Sequence, residues 1–121
     1  MKRIIIDTNF IMEIARNKID LKKEADRLMD SKYEILKVEG TDQELEKIIK
    51  EQKGKEAQTA RLGMAMTKNI GTVKSEGSSV DEKIEKLQGK DTIIATHDKE
   101  LKKKLVKPVI IIRQKKYLQL I

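Results

Sequence analysis

The sequence of 121 residues has no cysteine, a single proline and a single histidine, His97. The absence of cysteine excludes disulfides, thiolate metal sites and cysteine nucleophiles, and it is typical of a reducing compartment. One histidine excludes a multi-histidine zinc site. No apolar run approaches the ~20 residues of a membrane span, and the N-terminus lacks a signal-peptide pattern. We therefore expect a cytoplasmic protein without a membrane partner.

Aromatic residues are almost missing as well, since Phe10, Tyr33 and Tyr117 are the only ones. This scarcity argues against a protein that binds RNA by stacking bases on aromatic rings. Charged residues, in contrast, make up 39% of the chain, and the net charge is +7. The excess of positive charge is local: residues 99–116 contain eight of the 27 bases and one of the 20 acids, which leaves 19 of each elsewhere.

The basic segment 99–116 has two interpretations. A local basic patch attracts polyanions, because each phosphate that it neutralises releases counterions. A solvated charged face gives the same pattern. On the first interpretation, the RNA-binding residues are Lys99, Lys102, Lys103, Lys104 and Arg113.

Short apolar runs alternate with longer segments of helical period along the whole chain. Strands are predicted over 3–6, 33–38, 70–74, 91–96 and 109–112, with a first helix from Asn9 and further helices after Asp20, Gly40, Gly54, Ser79 and Asp98. Such alternation requires crossover connections. We therefore predict one α/β domain over 1–121, a three-layer Rossmann-like sandwich of about five mostly parallel strands with helices on both faces. The apolar tail 117–121 could pair with the sheet edge or with a second copy.

Acidic residues stand at four junctions between predicted strands and helices. Asp7 directly follows the first strand, Glu44 and Asp81 lie in the first turns of the helices after the second and third, and Asp98 follows the fourth. In a parallel sheet these junctions meet at the carboxyl edge, where such folds bind their ligands. We therefore expect the four carboxylates to converge on one rim.

Helix capping is a simpler explanation for some of these acids, because Asp and Glu are favoured at helix N-termini. Asp81 and Asp98 could each be ordinary first-turn residues. Asp7 differs because it follows three isoleucines in what should be a central strand, so its carboxylate lies at a buried edge and needs compensating charge. A bound cation supplies that charge, whereas a helix cap does so only in part.

A crowded set of carboxylates favours a site for hard divalent cations. Neighbouring carboxylates raise one another's pKa values, and a cation relieves this repulsion. Ligands that are all oxygen select Mg²⁺ or Mn²⁺ over softer metals. One or two such ions would activate a water for attack on a phosphodiester, while the basic segment holds the flanking backbone. The predicted metal ligands are Asp7, Glu44, Asp81 and Asp98.

Four short motifs resemble those of the PIN-domain ribonucleases. They are I-I-I-D-T-N-F at 4–10, E-L at 44–45, V-D-E-K-I at 80–84 and A-T-H-D-K-E-L at 95–101. The resemblance covers nearly the whole chain and is strongest to the small archaeal branch, which is similar to nucleolar rRNA-processing nucleases and VapC-type toxins. It implies Mg²⁺- or Mn²⁺-dependent endonucleolytic cleavage of single-stranded RNA. It also implies a second copy, a protein antitoxin or ribosomal assembly proteins as partners.

The same resemblance implies individual roles. The acidic quartet of the family matches Asp7, Glu44, Asp81 and Asp98. Thr96 would hydrogen-bond a metal-bound water or a phosphate oxygen, and Asn9 would orient the Asp7 carboxylate. His97 stands where the family often has Asn; it either touches RNA or a metal-bound water, or is an exposed loop residue.

The second acid and the catalytic role have alternatives. Asp42 or Glu46 could replace Glu44, although Glu46 would lie away from the Glu44 face of a helix. A non-catalytic RNA-binding or ribosome-assembly factor would keep the fold and the basic segment. Other enzyme classes lack their motifs: there is no P-loop around Gly89, no G-x-G-x-x-G, no nucleophile elbow, and no acid pair after the first strand.

Overall fold

Six strands form one sheet in the computed structural model, which describes residues 1–121. The strands are β1 (Lys2–Ile6), β2 (Tyr33–Val38), β3 (Gly71–Val73), β4 (Thr92–Ala95), β5 (Val109–Arg113) and β6 (Tyr117–Leu120). The helices are α1 (Thr8–Arg16), α2 (Leu21–Leu28), α3 (Thr41–Glu51), α4 (Lys55–Met66), α5 (Val80–Lys86) and α6 (Lys99–Lys103). The strand order across the sheet is β3-β2-β1-β4-β5-β6. None of the helices combines the length and the apolar character that crossing a membrane requires.

The central strand β1 is covered on both faces, which explains its uninterrupted run of isoleucines. It pairs in parallel with β2 on one side and with β4 on the other. Ile4 and Ile6 pack into a core of 15 buried residues with α1, whereas Ile5 packs into a second core of six with Val80 of α5. Helices therefore cover both faces of a mostly parallel sheet, and the predicted α/β fold is confirmed.

The sheet has six strands, one more than the approximate number predicted. The apolar tail forms β6, which pairs antiparallel with β5 in the register Ile112 to Leu118. Leu118 is buried, and its backbone N–H donates to Glu24 Oε1 of α2 at 2.8 Å while its carbonyl accepts from Arg27. Of the two alternatives for the tail, pairing with the sheet edge is the one observed.

Helix α1 begins one residue earlier than predicted, at Thr8 instead of Asn9. The reason is that Asp7 has extended backbone and its side chain accepts from the N–H of Phe10, which makes Asp7 itself the N-cap. The predicted caps Asp20 and Ser79 are confirmed, with hydrogen bonds to the N–H groups of Lys23 and Glu82.

Candidate active site

Asp7 lies at the carboxyl end of the central strand and is 2% exposed. Its Oδ1 accepts from the backbone N–H of Phe10 at 2.6 Å, and its Oδ2 accepts from the hydroxyl of Thr96. One carboxylate oxygen is therefore held by the first turn of α1 and the other by the residue after β4, so that the carboxylate has one fixed orientation.

Burial raises the pKa of Asp7 from 3.8 to about 7. The hydrogen bonds from Thr96 and Phe10 lower the pKa, but the negative charges of Asp81 and Asp98 raise it. These charges act on Asp7 because the carboxyl edge collects acids from separate parts of the chain. A positive charge near Asp7 would stabilise its ionised form.

A cleft of about 430 Å³ opens beside Asp7. Its acidic lining comes from three separate segments: Asp7 at the start of α1, Glu44 in α3 and Asp81 in α5. The pKa of Asp81 is also raised, first by burial and then by the charge of Asp98, while Lys104 lowers it. We call this cleft the acidic cleft; its other lining residues are Thr8, Asn9, Lys47, Ile48, Ser79 and Val80.

Glu44, not Asp42, borders the acidic cleft. The hydroxyl of Thr8, next to Asp7, donates to Glu44 Oε1 and ties α3 to the start of α1. Asp42 instead forms an ion pair outside the cleft. Its Oδ1 lies 2.8 Å from the ammonium of Lys37, a lysine whose side chain is only 6% exposed. Glu46 does not line the cleft.

Asp98 caps α6, with Oδ1 accepting from the N–H groups of Glu100 and Leu101 at 2.8 and 3.2 Å. Its own N–H donates to the Thr96 hydroxyl at 3.0 Å, so that Thr96 links Asp98 to Asp7. The capping explanation therefore holds for Asp98, and its charge nevertheless acts on both Asp7 and Asp81.

A second hollow, of about 180 Å³, lies beside Asp98, and we call it the basic depression. Its lining residues are Thr96, His97, Asp98, Lys99, Lys102, Ile111, Ile112 and Arg113. The side chain of His97 is 47% exposed, with Nε2 3.7 Å from Glu13 Oε2. This position fits an exposed loop residue.

The structure divides the five bases predicted to bind RNA. Lys99, Lys102 and Arg113 line the basic depression, whereas Lys103 and Lys104 lie outside it. Lys103 pairs with Glu100 at 3.3 Å, and Lys104 is 3.8 Å from Glu85. The division arises because consecutive residues of α6 face different directions.

Of two roles implied by the resemblance, the contacts correct that of Asn9 and extend that of Thr96. Asn9 does not orient Asp7, whose oxygens are held by Phe10 and Thr96; Asn9 is the second residue of α1 and its side chain is exposed at the cleft. Thr96 is 1% exposed and its one hydroxyl proton already goes to Asp7. Thr96 therefore orients an acid, and its hydrogen bond to a phosphate oxygen or a metal-bound water stays a prediction.

Sequence reasoning missed Thr8 and Lys47 as residues of the acidic cleft. Lys47 follows Glu44 by three residues, a spacing that puts two side chains on the same face of a helix. That spacing is visible in the sequence. The hydrogen bond of Thr8 to Glu44 joins residues 36 positions apart, and nothing in the sequence signals it.

The donor chemistry of the acidic cleft suits Mg²⁺ or Mn²⁺, because the candidate ligands are all carboxylate oxygens. No three acidic or histidine side chains, however, are close enough together to hold an ion as they stand. Glu44 accepts a hydrogen bond from Thr8, and Asp98 accepts two as the cap of α6. Metal ligation by the four acids therefore stays a prediction.

Comparison with known proteins agrees with this architecture. The family model described as "PIN like domain" matches residues 4–115. Ribonuclease VapC4 of Methanocaldococcus jannaschii is 36% identical over 127 aligned positions, covering 99% of this chain and 97% of the relative. Ribonuclease VapC9 of Archaeoglobus fulgidus is 30% identical over 100 positions, covering 83% and 73% respectively.

A solved structure of the PIN domain endonuclease Utp24 has the same fold. It superposes with a TM-score of 0.76 at 23% identity and covers 98% of this chain and 90% of its own. The resemblance to the PIN-domain ribonucleases is thus confirmed by the family model, the relatives and the fold. This chain belongs to the PIN-like domain family.

Proposed function

We propose that this protein is a ribonuclease that hydrolyses single-stranded RNA at the acidic cleft with the help of Mg²⁺ or Mn²⁺. The observation that carries the proposal is Asp7, a buried carboxylate with a raised pKa and two more acids, Glu44 and Asp81, lining the cleft beside it. The ribonuclease names of the two relatives, which align over most of this chain, support it.

The proposed metal ligands are Asp7, Asp81, Asp98 and Glu44. A bound divalent ion would supply a nucleophilic water at neutral pH and neutralise charge on the cleaved phosphate. Thr96 positions Asp7 through its hydroxyl proton, and Thr8 positions Glu44. Lys99, Lys102 and Arg113 in the basic depression hold the RNA backbone next to the acids.

We further propose that residues 1–121 act as one PIN-like domain in the cytoplasm. Because both relatives are named VapC, a toxin-type role with a protein antitoxin as partner is favoured over rRNA processing. Pairing of two copies through the backbone of β6 is disfavoured at Leu118, since Glu24 and Arg27 occupy its N–H and carbonyl. A homodimer would therefore use another surface.

The test is cleavage of an end-labelled single-stranded RNA by the wild-type protein and by Asp7→Asn. Mg²⁺ or Mn²⁺ should support cleavage and EDTA should stop it. Asp7→Asn should lose more than the roughly 10–100-fold that removal of an outer-shell group costs a metal site. Its RNA affinity, measured by fluorescence anisotropy, should not fall, because the change removes a negative charge from the cleft.

Asp91→Asn is the matched control, because Asp91 is exposed at the opposite edge of the sheet. It should cleave like the wild type. Equal cleavage by wild type and Asp7→Asn would contradict the mechanism. Tight RNA binding without cleavage under either metal would instead identify a non-catalytic RNA-binding factor.

A further inference from the structure

Lys47 is the one cationic side chain that lines the acidic cleft. It follows Glu44 by three residues on α3, so the two side chains share a face of that helix. Lys47 is exposed and takes part in none of the ion pairs of the structure. Its ammonium is therefore free to bind an anion that enters the cleft.

A phosphodiester that enters the acidic cleft faces unfavourable electrostatics. Asp7, Glu44 and Asp81 all line the cleft, and their charges repel a phosphate. A lysine ammonium is a compact point charge on a flexible stem, and such a group adapts to a phosphate oxygen without fixed geometry. Lys47 thus offers attraction to a phosphate at a position where the other charged groups repel it.

Lys47 and the basic depression lie on opposite sides of Asp7. Across the sheet the order is β2, β1, β4 and β5. Lys47 belongs to the helix that follows β2, Asp7 follows β1, Thr96 follows β4, and Arg113 ends β5. With neighbouring strands about 4.8 Å apart, the ends of β2 and β5 are about 14 Å apart. Cationic groups therefore flank the acids at both ends of this edge.

We propose that Lys47 binds an RNA phosphate on one side of the cleaved bond, while Lys102 and Arg113 bind the backbone on the other side. The single strand then lies along the carboxyl edge of the sheet, across the ends of β2, β1, β4 and β5. This proposal rests on the proposed function and adds the path of the substrate. It requires a further phosphate on each side of the cleaved one, so the enzyme should cleave poorly at a terminal bond that lacks one of these phosphates.

Lys47→Ala and Lys50→Ala form a matched pair for testing this path. Both lysines are exposed residues of α3 without an ion-pair partner, but Lys50 lies one turn further along and does not line the cleft. RNA binding is measured in an Asp7→Asn background, in which the RNA stays intact. Lys47→Ala should weaken binding about five- to tenfold at low salt. It should also reduce the slope of log affinity against log salt by about 0.7, as expected for one contact to a single strand.

The control Lys50→Ala should change neither the affinity nor the slope, and Lys47→Arg should restore both. In proteins that retain Asp7, Lys47→Ala should raise KM for cleavage more than it lowers kcat, because the contact is to the flanking backbone. RNAs shortened from one end should lose reactivity abruptly once the phosphate next to the cleaved one has been removed. For the shortening from the Lys47 side, this loss should be absent in Lys47→Ala.

Identical salt slopes for Lys47→Ala and Lys50→Ala would overturn the proposal, even if the wild type cleaves RNA. Unchanged RNA affinity together with tighter Mn²⁺ binding by Lys47→Ala would also overturn it, because Lys47 would then be a counter-ion for the acids. Failure of the wild type to cleave RNA with either metal would refute the proposed function instead. The binding comparison would still decide the role of Lys47.

Discussion

The acidic cleft and the basic depression share one edge of the sheet but are built differently. The acids of the cleft come from α1, α3 and α5, and Asp7 is buried with both oxygens hydrogen-bonded inside the protein. The bases of the depression come from α6 and the end of β5 and lie at the surface. Burying a carboxylate costs free energy, but it holds the group in one orientation. A group that attracts a flexible polyanion only needs to be charged and close to the polyanion.

Thr96 joins the two regions. It lines the basic depression, yet its hydroxyl donates to Asp7 of the acidic cleft and accepts from the N–H of Asp98. A change at Thr96 should therefore affect the acids first, although its neighbours in the depression are bases. The two regions should therefore differ in the size and kind of effect that substitutions have.

The largest effect concerns the pH dependence of stability without metal. Because the pKa of Asp7 is about 7 in the folded protein against 3.8 as its ordinary value, the unfolded chain releases this proton first as pH rises. Between about pH 4 and pH 7 the folded state binds more protons, so Asp7 lowers the free energy of unfolding as pH increases. At 1.36 kcal/mol per pKa unit the loss is on the order of 4 kcal/mol.

Urea denaturation in EDTA, at intervals from pH 4 to pH 8, measures this effect. Asp7→Asn lacks the titrating group, so its stability relative to the wild type should grow steadily up to about pH 7 and then level off. The altered hydrogen bond to Thr96 in this variant should shift the free energy of unfolding by the same amount at every pH. The test is therefore how the stability difference between the two proteins changes with pH. Parallel curves for the two proteins would contradict a raised pKa at Asp7.

A smaller effect is expected from Thr96→Val, which keeps the shape of the side chain but removes the hydroxyl. Asp7 Oδ2 and the N–H of Asp98 would lose their partners. Cleavage should fall roughly 10–100-fold, as for other groups that orient a metal ligand. The Thr96 hydrogen bond lowers the pKa of Asp7, so the acid limb of the pH–rate profile should move to higher pH.

Thr96→Ser is the control, because it keeps the hydroxyl and loses only a methyl group. It should recover most of the activity and the wild-type pH profile. If Thr96→Val and Thr96→Ser behaved alike, the effect would come from packing and not from orientation of Asp7.

The smallest effect is expected in the basic depression. Replacing Lys102 and Arg113 together by Ala should reduce the salt slope of RNA binding by about 1.4, at about 0.7 for each single-strand contact. Stability should change by less than about 0.5 kcal/mol for each exposed position. Lys103→Ala is the control, since Lys103 pairs with Glu100 outside the depression. A loss of about 0.7 in Lys103→Ala would contradict this assignment, because RNA would then also contact α6 outside the depression.

The fold was largely predictable from particular residues. The run Ile4–Ile5–Ile6 indicates a strand buried on both faces, and two separate cores indeed divide these side chains. Asp20 and Ser79 were recognisable as helix caps because capping depends on local backbone geometry. The pairing of the sixth strand does not follow from the sequence, because the same apolar tail could satisfy its backbone on this sheet or on another chain.

The site was predictable in outline but not in its contacts. The acids at strand ends follow from the connectivity of parallel strands, so their gathering at one edge is a consequence of sequence order. The sequence favours Glu44 as the second acid but keeps Asp42 as an alternative. The contacts distinguish the two, because Asp42 lies beside the buried ammonium of Lys37 and Glu44 accepts from the hydroxyl of Thr8. Likewise the Thr96 hydroxyl donates to Asp7, which lies 89 residues away in the sequence, and no local pattern reveals this hydrogen bond.

By itself the sequence determined the alternation of strands and helices, the family and the position of the acids at the junctions. The family was indicated by the resemblance of four short motifs to known proteins. The other features depend on periodicity and on neighbours a few residues apart, and a chain carries them before it folds. Tertiary structure decided which acids share a cleft, which bases remain free and which hydroxyl holds Asp7. Those outcomes depend on distances between side chains that only packing brings together, and on the burial that raises the pKa of Asp7.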